Sequence, residues 1–184
     1  AGGSIGSELV RQCVKFEPSV LVMMDISELN LFEIDREIIS DDSAILFKPI
    51  LADIRDYSVV NQIFNEFEPQ VVFHAAAYKH VPMQEYFPWE AIKTNVYGTS
   101  NVADISIKYD VDKFVLVSTD KAVKPVNVMG ATKRLAEIIT QNYNNINSNT
   151  DIDTNTNTNT NTNTSTNTNA NANSNTDANT NTNT

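Results

Sequence analysis

Over the first 146 residues, short apolar runs alternate with stretches in which apolar residues recur every three or four positions. Val20-Leu-Val-Met-Met24 is a compact apolar run ending on Asp25, the pattern of a strand buried on both faces. Ser27 is placed to cap a helix from Leu29 to about Ile39, with Leu31, Ile34 and Ile38 on one face. Ala44 to Leu51 reads as a second strand and leads into Asp53-Ile-Arg-Asp56. Val60, Ile63, Phe64 and Phe67 then fall at helical spacing. Val71-Val-Phe73 is a third strand running into His74-Ala-Ala-Ala77, and Pro88 suits the first turn of a long helix reaching about Tyr109. Phe114-Val-Leu-Val117 is a fourth strand, with Ser118-Thr-Asp-Lys121 at its carboxyl end, and a last helix covers about Met129 to Tyr143.

Strands and helices alternating at this spacing predict an α/β fold, a Rossmann-like doubly wound parallel sheet with right-handed crossovers. Ligands of such sheets bind beyond the carboxyl ends of the strands, where Asp25, Asp53, His74 and Ser118–Lys121 would gather. Residues 1–146 are expected to form one partial dinucleotide-binding domain. Residues 147–184 are almost entirely Asn, Thr, Ser, Ala and Asp. They repeat with period two but offer no apolar face, so a disordered low-complexity tail is expected there.

Charge and composition narrow the partners. The net charge is −10, and Asp151, Asp153 and Asp177 lie in the tail, which has no Lys or Arg, leaving −7 on the first 146 residues. No basic stripe is present, which argues against nucleic acid. Cys13 is the only cysteine, excluding an internal disulfide or a CxxC metal site, and it is expected to be buried and inert. No metal site is expected. No apolar run approaches the roughly 20 residues of a membrane helix, and no signal-peptide pattern opens the chain, so a cytoplasmic setting is expected.

Ala1-Gly-Gly-Ser-Ile-Gly6 leads straight into an amphipathic pattern with Ile5, Leu9 and Cys13 on one face. Glycines there let backbone approach a pyrophosphate at a helix N-terminus. Alone, such a string is as well explained by a tight turn. Asp25 stands 19 residues after Gly6 at the end of the next strand, where a carboxylate accepts hydrogen bonds from an adenosine ribose, and this tips the reading to dinucleotide binding. A carboxylate repels a 2′-phosphate and no Arg or Lys follows directly, which favours NAD over NADP. The strand and first glycine that usually precede this loop do not stand before Ala1, and the chain is expected to fold poorly without them.

Three blocks carry a family resemblance: Phe73-His-Ala-Ala-Ala-Tyr-Lys-His-Val-Pro82, Asn95-Val-Tyr-Gly-Thr99, and Ser118-Thr-Asp-Lys-Ala-Val-Lys-Pro-Val-Asn-Val-Met-Gly-Ala-Thr-Lys133. With Gly2–Glu8 and Asp53–Asp56, residues 1–143 resemble the CapD/WbpM-type polysaccharide-biosynthesis proteins, extended short-chain dehydrogenases similar to UDP-N-acetylglucosamine 4,6-dehydratases. The resemblance implies NAD held by Gly3, Ser4, Ile5, Gly6, Asp25, Asp53, Ile54, Ala75, Ala76, Ala77, Asn95 and Lys133. It implies Thr119, Asp120, Lys121, Met129 and Lys133 as the catalytic positions, and Lys79 and His80 on the side of a UDP-sugar substrate. It also implies that the parent enzyme sits at the cytoplasmic face of a membrane.

The implied reaction removes a hydride from C4 of the sugar, eliminates water across C5 and C6, and returns the hydride to C6. Elimination needs an acid and a base close together: Asp120, with its pKa raised by desolvation, for the departing hydroxyl, and a neutral Lys121 for the C5 proton. On an arbitrary surface loop Asp120-Lys121 would be a solvated charge pair. Met129 departs from the usual Tyr-x-x-x-Lys of short-chain dehydrogenases, and a thioether cannot relay a proton. It resembles the long, membrane-associated branch of the family, and leaves Thr119, Lys121 or a water to accept the C4 hydroxyl proton. Two alternatives stand beside a 4,6-dehydratase: a nucleotide-sugar 4-epimerase, which needs no elimination pair, and a non-catalytic cofactor-binding remnant. The family's sugar-nucleotide portion lies mostly beyond residue 143, so this chain alone is expected not to turn over.

Overall fold

The computed structural model describes residues 1–39, 45–146 and 151–155. Their order is α1 (Ser4–Val14), β1 (Val20–Asp25), α2 (Glu28–Ile39), β2 (Leu46–Leu51), α3 (Tyr57–Phe67), β3 (Val71–His74), α4 (Val81–Tyr86), α5 (Pro88–Ala91), a π-helical segment (Ile92–Gly98), α6 (Thr99–Lys108), β4 (Lys113–Val117), a 3-10 turn (Asp120–Ala122), α7 (Val128–Ile146) and β5 (Asp151–Asn155). Ser27 caps α2 by accepting from the Asn30 N–H at 3.3 Å, as expected, and Asp56 caps α3 through the Val59 N–H at 3.1 Å.

All strand pairs are parallel, and the expected α/β architecture is present. The strands form two sheets: β1 with β2, and β3-β4-β5 in that order. Because β1 has a described neighbour on one edge only, it is fully buried just at Met23, where burial on both faces was expected. Val71 and Phe73 of β3 are likewise about half exposed.

Two cores follow the split. Ile54, Val60, Phe64, Val102, Ile105, Phe114, Leu116 and Ala136 form the larger, and Val10, Met23, Leu31, Ile34 and Ile38 the smaller. Met24 packs against the larger core, linking β1 to it. The stripe expected to anchor α1 is displaced. Ile5 is exposed and Cys13 only half-buried, while Val10, with Val14 beside it, meets Met23 and α2. Two apolar stripes compete on this helix, and the one facing β1 and α2 wins.

The long helix expected from Pro88 is realised as α5, the π-helical segment and α6 in succession, with α4 as an additional short helix before it. β5 falls within the stretch expected to be disordered, pairing Ile152 with Phe114 and Asn155 with Val117. The rest of the expected tail, and Ala44 of the expected second strand, lie outside the described residues. Among the described residues no helix is long and apolar enough to cross a membrane.

Candidate active site

Two groups of side chains gather beyond the carboxyl ends of the strands. The first surrounds the N-terminus of α1. No glycine among the described residues has a positive φ, so the loop glycines matter for space. A Cβ on Gly2 would stand 2.1 Å from the Asn30 carbonyl oxygen, and one on Gly6 2.5 Å from that of Ala1. Gly3, by contrast, has nothing within 4 Å of its would-be Cβ. The fold therefore requires Gly2 and Gly6, while Gly3 borders open space at a helix N-terminus, where a phosphate would lie.

Beside it, Asp25 Oδ2 accepts from the Gly2 N–H at 2.7 Å and the Ala1 amino group at 2.8 Å, and Oδ1 accepts from the Ser27 N–H at 2.9 Å. Burial works against its charge, but these donors hold the carboxyl below the usual range, so it is an anion joined to the glycine loop. Open space at Gly3 and an ionised Asp25 fit the pyrophosphate and ribose of a dinucleotide. Ser4 and Ile5 are exposed on the first turn of the same helix.

Asp53 is engaged locally. It accepts from the Arg55 backbone N–H at 2.9 Å and from its guanidinium at 2.6 Å, and Arg55 reaches on to Glu90 at 2.9 Å. Ile54, expected to line a cofactor, has its side chain in the larger core, where a Cβ on Gly98 would stand 2.5 Å from its Cδ1. Its carbonyl oxygen accepts from Asn101 at 3.1 Å. An apolar side chain above a glycine buries best where the helix comes closest, so only the backbone of Ile54 is left to face a cofactor.

The second group centres on Asn95, which is 1% exposed in the π-helical segment, a distortion common at functional sites. Its Oδ1 accepts from the Tyr78 N–H at 2.7 Å, and its Nδ2 donates to the Tyr78 carbonyl and to Thr132 Oγ1, both at 3.0 Å. Asn95 thus fixes the segment after β3, which contains Ala75, Ala76 and Ala77, against α7. His74 is buried at the head of that segment with Nε2 2.9 Å from Thr99 Oγ1. Thr99 gives its only proton to the Asn95 carbonyl at 2.8 Å, so His74 donates to Thr99 through Nε2. Burial, reinforced by Lys133, pushes its pKa down to about 3.

On α7, Lys133 is 5% exposed and donates to the Val117 carbonyl at 2.7 Å. Burial lowers its pKa to about 8 against the opposing pull of Glu137. Thr119 Oγ1 donates to Asp120 at 3.0 Å and accepts from the Lys121 N–H at 3.4 Å. The turn rests on α7 where a Cβ on Gly130 would stand 2.4 Å from the Lys121 carbonyl. Asp120 and Lys121 are exposed, and no ion pair joins them among the described residues. The desolvation expected to make Asp120 an acid is therefore not supplied by these residues. Met129 is buried, so its thioether lies in the interior. Lys79 and His80 are exposed at the entry to α4.

The second group is gathered by α7, which meets Asn95 through Thr132, Val117 through Lys133, and the Thr119–Lys121 turn at Gly130. Sequence reasoning missed Glu137, Thr132 and Glu85, whose carboxylate caps α7 at the Val128 N–H at 2.7 Å. Only Glu137 carried a signal: an acid four residues after Lys133 on one helical face.

The family model described as polysaccharide biosynthesis protein matches residues 1–163. The capsular polysaccharide biosynthesis protein CapD of Staphylococcus aureus is 48% identical over 148 residues, covering 80% of this chain and 25% of that protein. A UDP-glucose 4-epimerase of Rickettsia canadensis is 40% identical over 139 residues, covering 73% of this chain and 39% of the relative. Among solved structures, Pen from Bacillus thuringiensis superposes with a TM-score of 0.72 at 33% identity, over 82% of this chain and 45% of that one. DesIV, a dTDP-glucose 4,6-dehydratase from Streptomyces venezuelae solved with NAD and TYD bound, has a TM-score of 0.68 at 22% identity, over 82% and 51%. The chain thus spans between a quarter and about half of these proteins.

Proposed function

The chain belongs to the polysaccharide biosynthesis protein family, and from that premise we propose that it is the NAD-binding part of a nucleotide-sugar 4,6-dehydratase acting on a UDP-N-acetylglucosamine-type substrate. Enzymes of the nucleotide-sugar dehydratase and epimerase kind are its relatives, and surface polysaccharide synthesis is the setting the family description supports. The observation that carries the choice of reaction is the seating of Thr119-Asp120-Lys121 on α7 beside Lys133, an acid and a base at one strand end.

In this reading Gly3 and the N-terminus of α1 receive the pyrophosphate, Asp25 the adenosine ribose, and Lys133 the nicotinamide ribose. When bound, NAD supplies the acceptor for the C4 hydride and its donor back to C6. The protein's own groups move the protons. Asp120 gives one to the departing 6-hydroxyl, and Lys121 takes the C5 proton and returns it to C5 as hydride reaches C6, once their exposed side chains are covered and water is excluded. The buried Met129 leaves the C4 hydroxyl proton to Thr119, Lys121 or a water.

The second reading, a 4-epimerase, is supported by the Rickettsia relative. An epimerase needs the C4 chemistry but no elimination pair. Replacing the matching segment of a complete relative with residues 1–143 and supplying UDP-N-acetylglucosamine separates the two. A 4-keto-6-deoxy product is expected, and a C4 epimer without it would overturn the dehydratase reading.

A further inference from the structure

Glu137 is 2% exposed, in the middle of α7. Removing a carboxylate from water costs several kcal/mol unless its partners compensate, so an acid at such a position calls for a reason. Oε2 accepts from Arg134 at 2.8 Å, a partner nearly half exposed. Oε1 accepts a short hydrogen bond from Ser118 Oγ. Ser118 is the residue between the end of β4 and Thr119.

One helical turn earlier, Lys133 holds the preceding residue, Val117, through its carbonyl oxygen. One further turn back, Gly130 supports the Lys121 carbonyl. Positions 130, 133 and 137 form one stripe on α7, and in that order they touch residues 121, 117 and 118. The Thr119–Lys121 turn is therefore held on both of its sides by a single helical face.

We propose that Glu137 is a positioning residue: its buried carboxylate fixes Ser118, and with it the register of the Thr119–Lys121 turn, one helical turn from the buried Lys133. The role in catalysis rests on the reading of Thr119–Lys121 and Lys133 as reacting groups. The grip on β4 does not. Other titratable or charged groups near this face are His74 at the end of β3, Asp120 and Lys121 on the turn, and Glu85, which caps α7. Of these, only Glu137 is an acid in the interior with Lys133, and its charge opposes the effect of burial on that amine.

The test is carried out on the full chain and needs neither cofactor nor sugar. The Lys133 side chain is titrated by NMR, and the backbone amide shifts of Thr119, Asp120 and Lys121 are read in Glu137→Gln, Ser118→Ala and Arg134→Ala variants. Glu137→Gln is expected to lower the Lys133 midpoint by about one pH unit, since it removes the nearby negative charge. Ser118→Ala should move the three amides while leaving the Lys133 midpoint near its starting value, and Arg134→Ala should change neither appreciably. An unchanged Lys133 midpoint in folded Glu137→Gln, or unmoved amides in Ser118→Ala, would overturn the assignment. If Glu137→Gln does not fold, Glu137→Asp takes its place: it keeps the charge and withdraws the oxygen from Ser118, so it must move the amides, and failure to do so refutes the grip. Failure of the dehydratase reading shows separately, in the product formed by the grafted enzyme.

Discussion

Gly130 lies so close beneath Lys121 that a Cβ on it would stand 2.4 Å from the Lys121 carbonyl oxygen. The Thr119–Lys121 turn and the helix carrying Lys133 therefore meet backbone to backbone. Gly130→Ala must push the turn off α7, because the obstructing atom is main chain. A loss of about 1–3 kcal/mol in urea denaturation is expected, the usual cost of overpacking. In a grafted enzyme, kcat should fall more than KM rises.

Asn95 uses its whole amide on Tyr78 and Thr132. Asn95→Leu would leave the Tyr78 N–H and carbonyl without this partner, while the Thr132 hydroxyl would keep only its bond to the Met129 carbonyl. About 2–4 kcal/mol of stability should be lost, since stranded buried polar groups cost more than the bonds themselves. Chemical denaturation measures it, and Asn95→Asp should retain only part of the clamp.

His74 makes stability depend on pH in a defined window. Its pKa falls from 6.5 to about 3 on folding because the buried ring disfavours charge. Between those values the unfolded chain binds more protons than the folded one, so stability is complete above 6.5 and declines as pH falls through the window. Urea midpoints at pH 7 and pH 5 should differ in that direction, by up to about 1.4 kcal/mol per pH unit. Asp25 and Asp53, held low by their donors, add their own losses only in stronger acid. His74→Leu should flatten the profile between pH 5 and 7.

Lys133 acts at the alkaline end. Its pKa falls from 10.5 to about 8, so between these values the folded state has released a proton that the unfolded chain still holds. Stability should therefore rise as pH is raised from 8 to 10.5. Lys133→Met should abolish that rise, read from denaturation at pH 7.5 and 10.

Much of this was legible in the sequence, for identifiable reasons. The strand ends at Asp25 and Val117, and the caps at Ser27 and Asp56, follow from short apolar runs and helix-capping chemistry acting locally. What periodicity missed depends on which surfaces meet. Ile5 and Cys13 made as good a stripe as Val10 and Val14, and only the position of β1 and α2 decides between them. Ile54 sat beside expected cofactor residues yet is drawn into the core by the space above Gly98. The π-helical segment holding Asn95 has no composition of its own. Glu137 stands four residues after Lys133 in the sequence, but only the fold brings Ser118 against it.

The α1 end of this chain fits a dinucleotide, and Gly3 offers the most direct test. Its Cβ would enter open space, so Gly3→Ala should leave stability within about 0.5 kcal/mol of the parent while blocking close approach of a pyrophosphate. Calorimetric titration of the purified chain and of Gly3→Ala with NAD and NADP reads both effects together. Saturable binding of NAD, stronger than NADP and at least about tenfold weaker in Gly3→Ala, is the predicted result. A flat response to both nucleotides, or equal NAD binding by the two proteins, would contradict it.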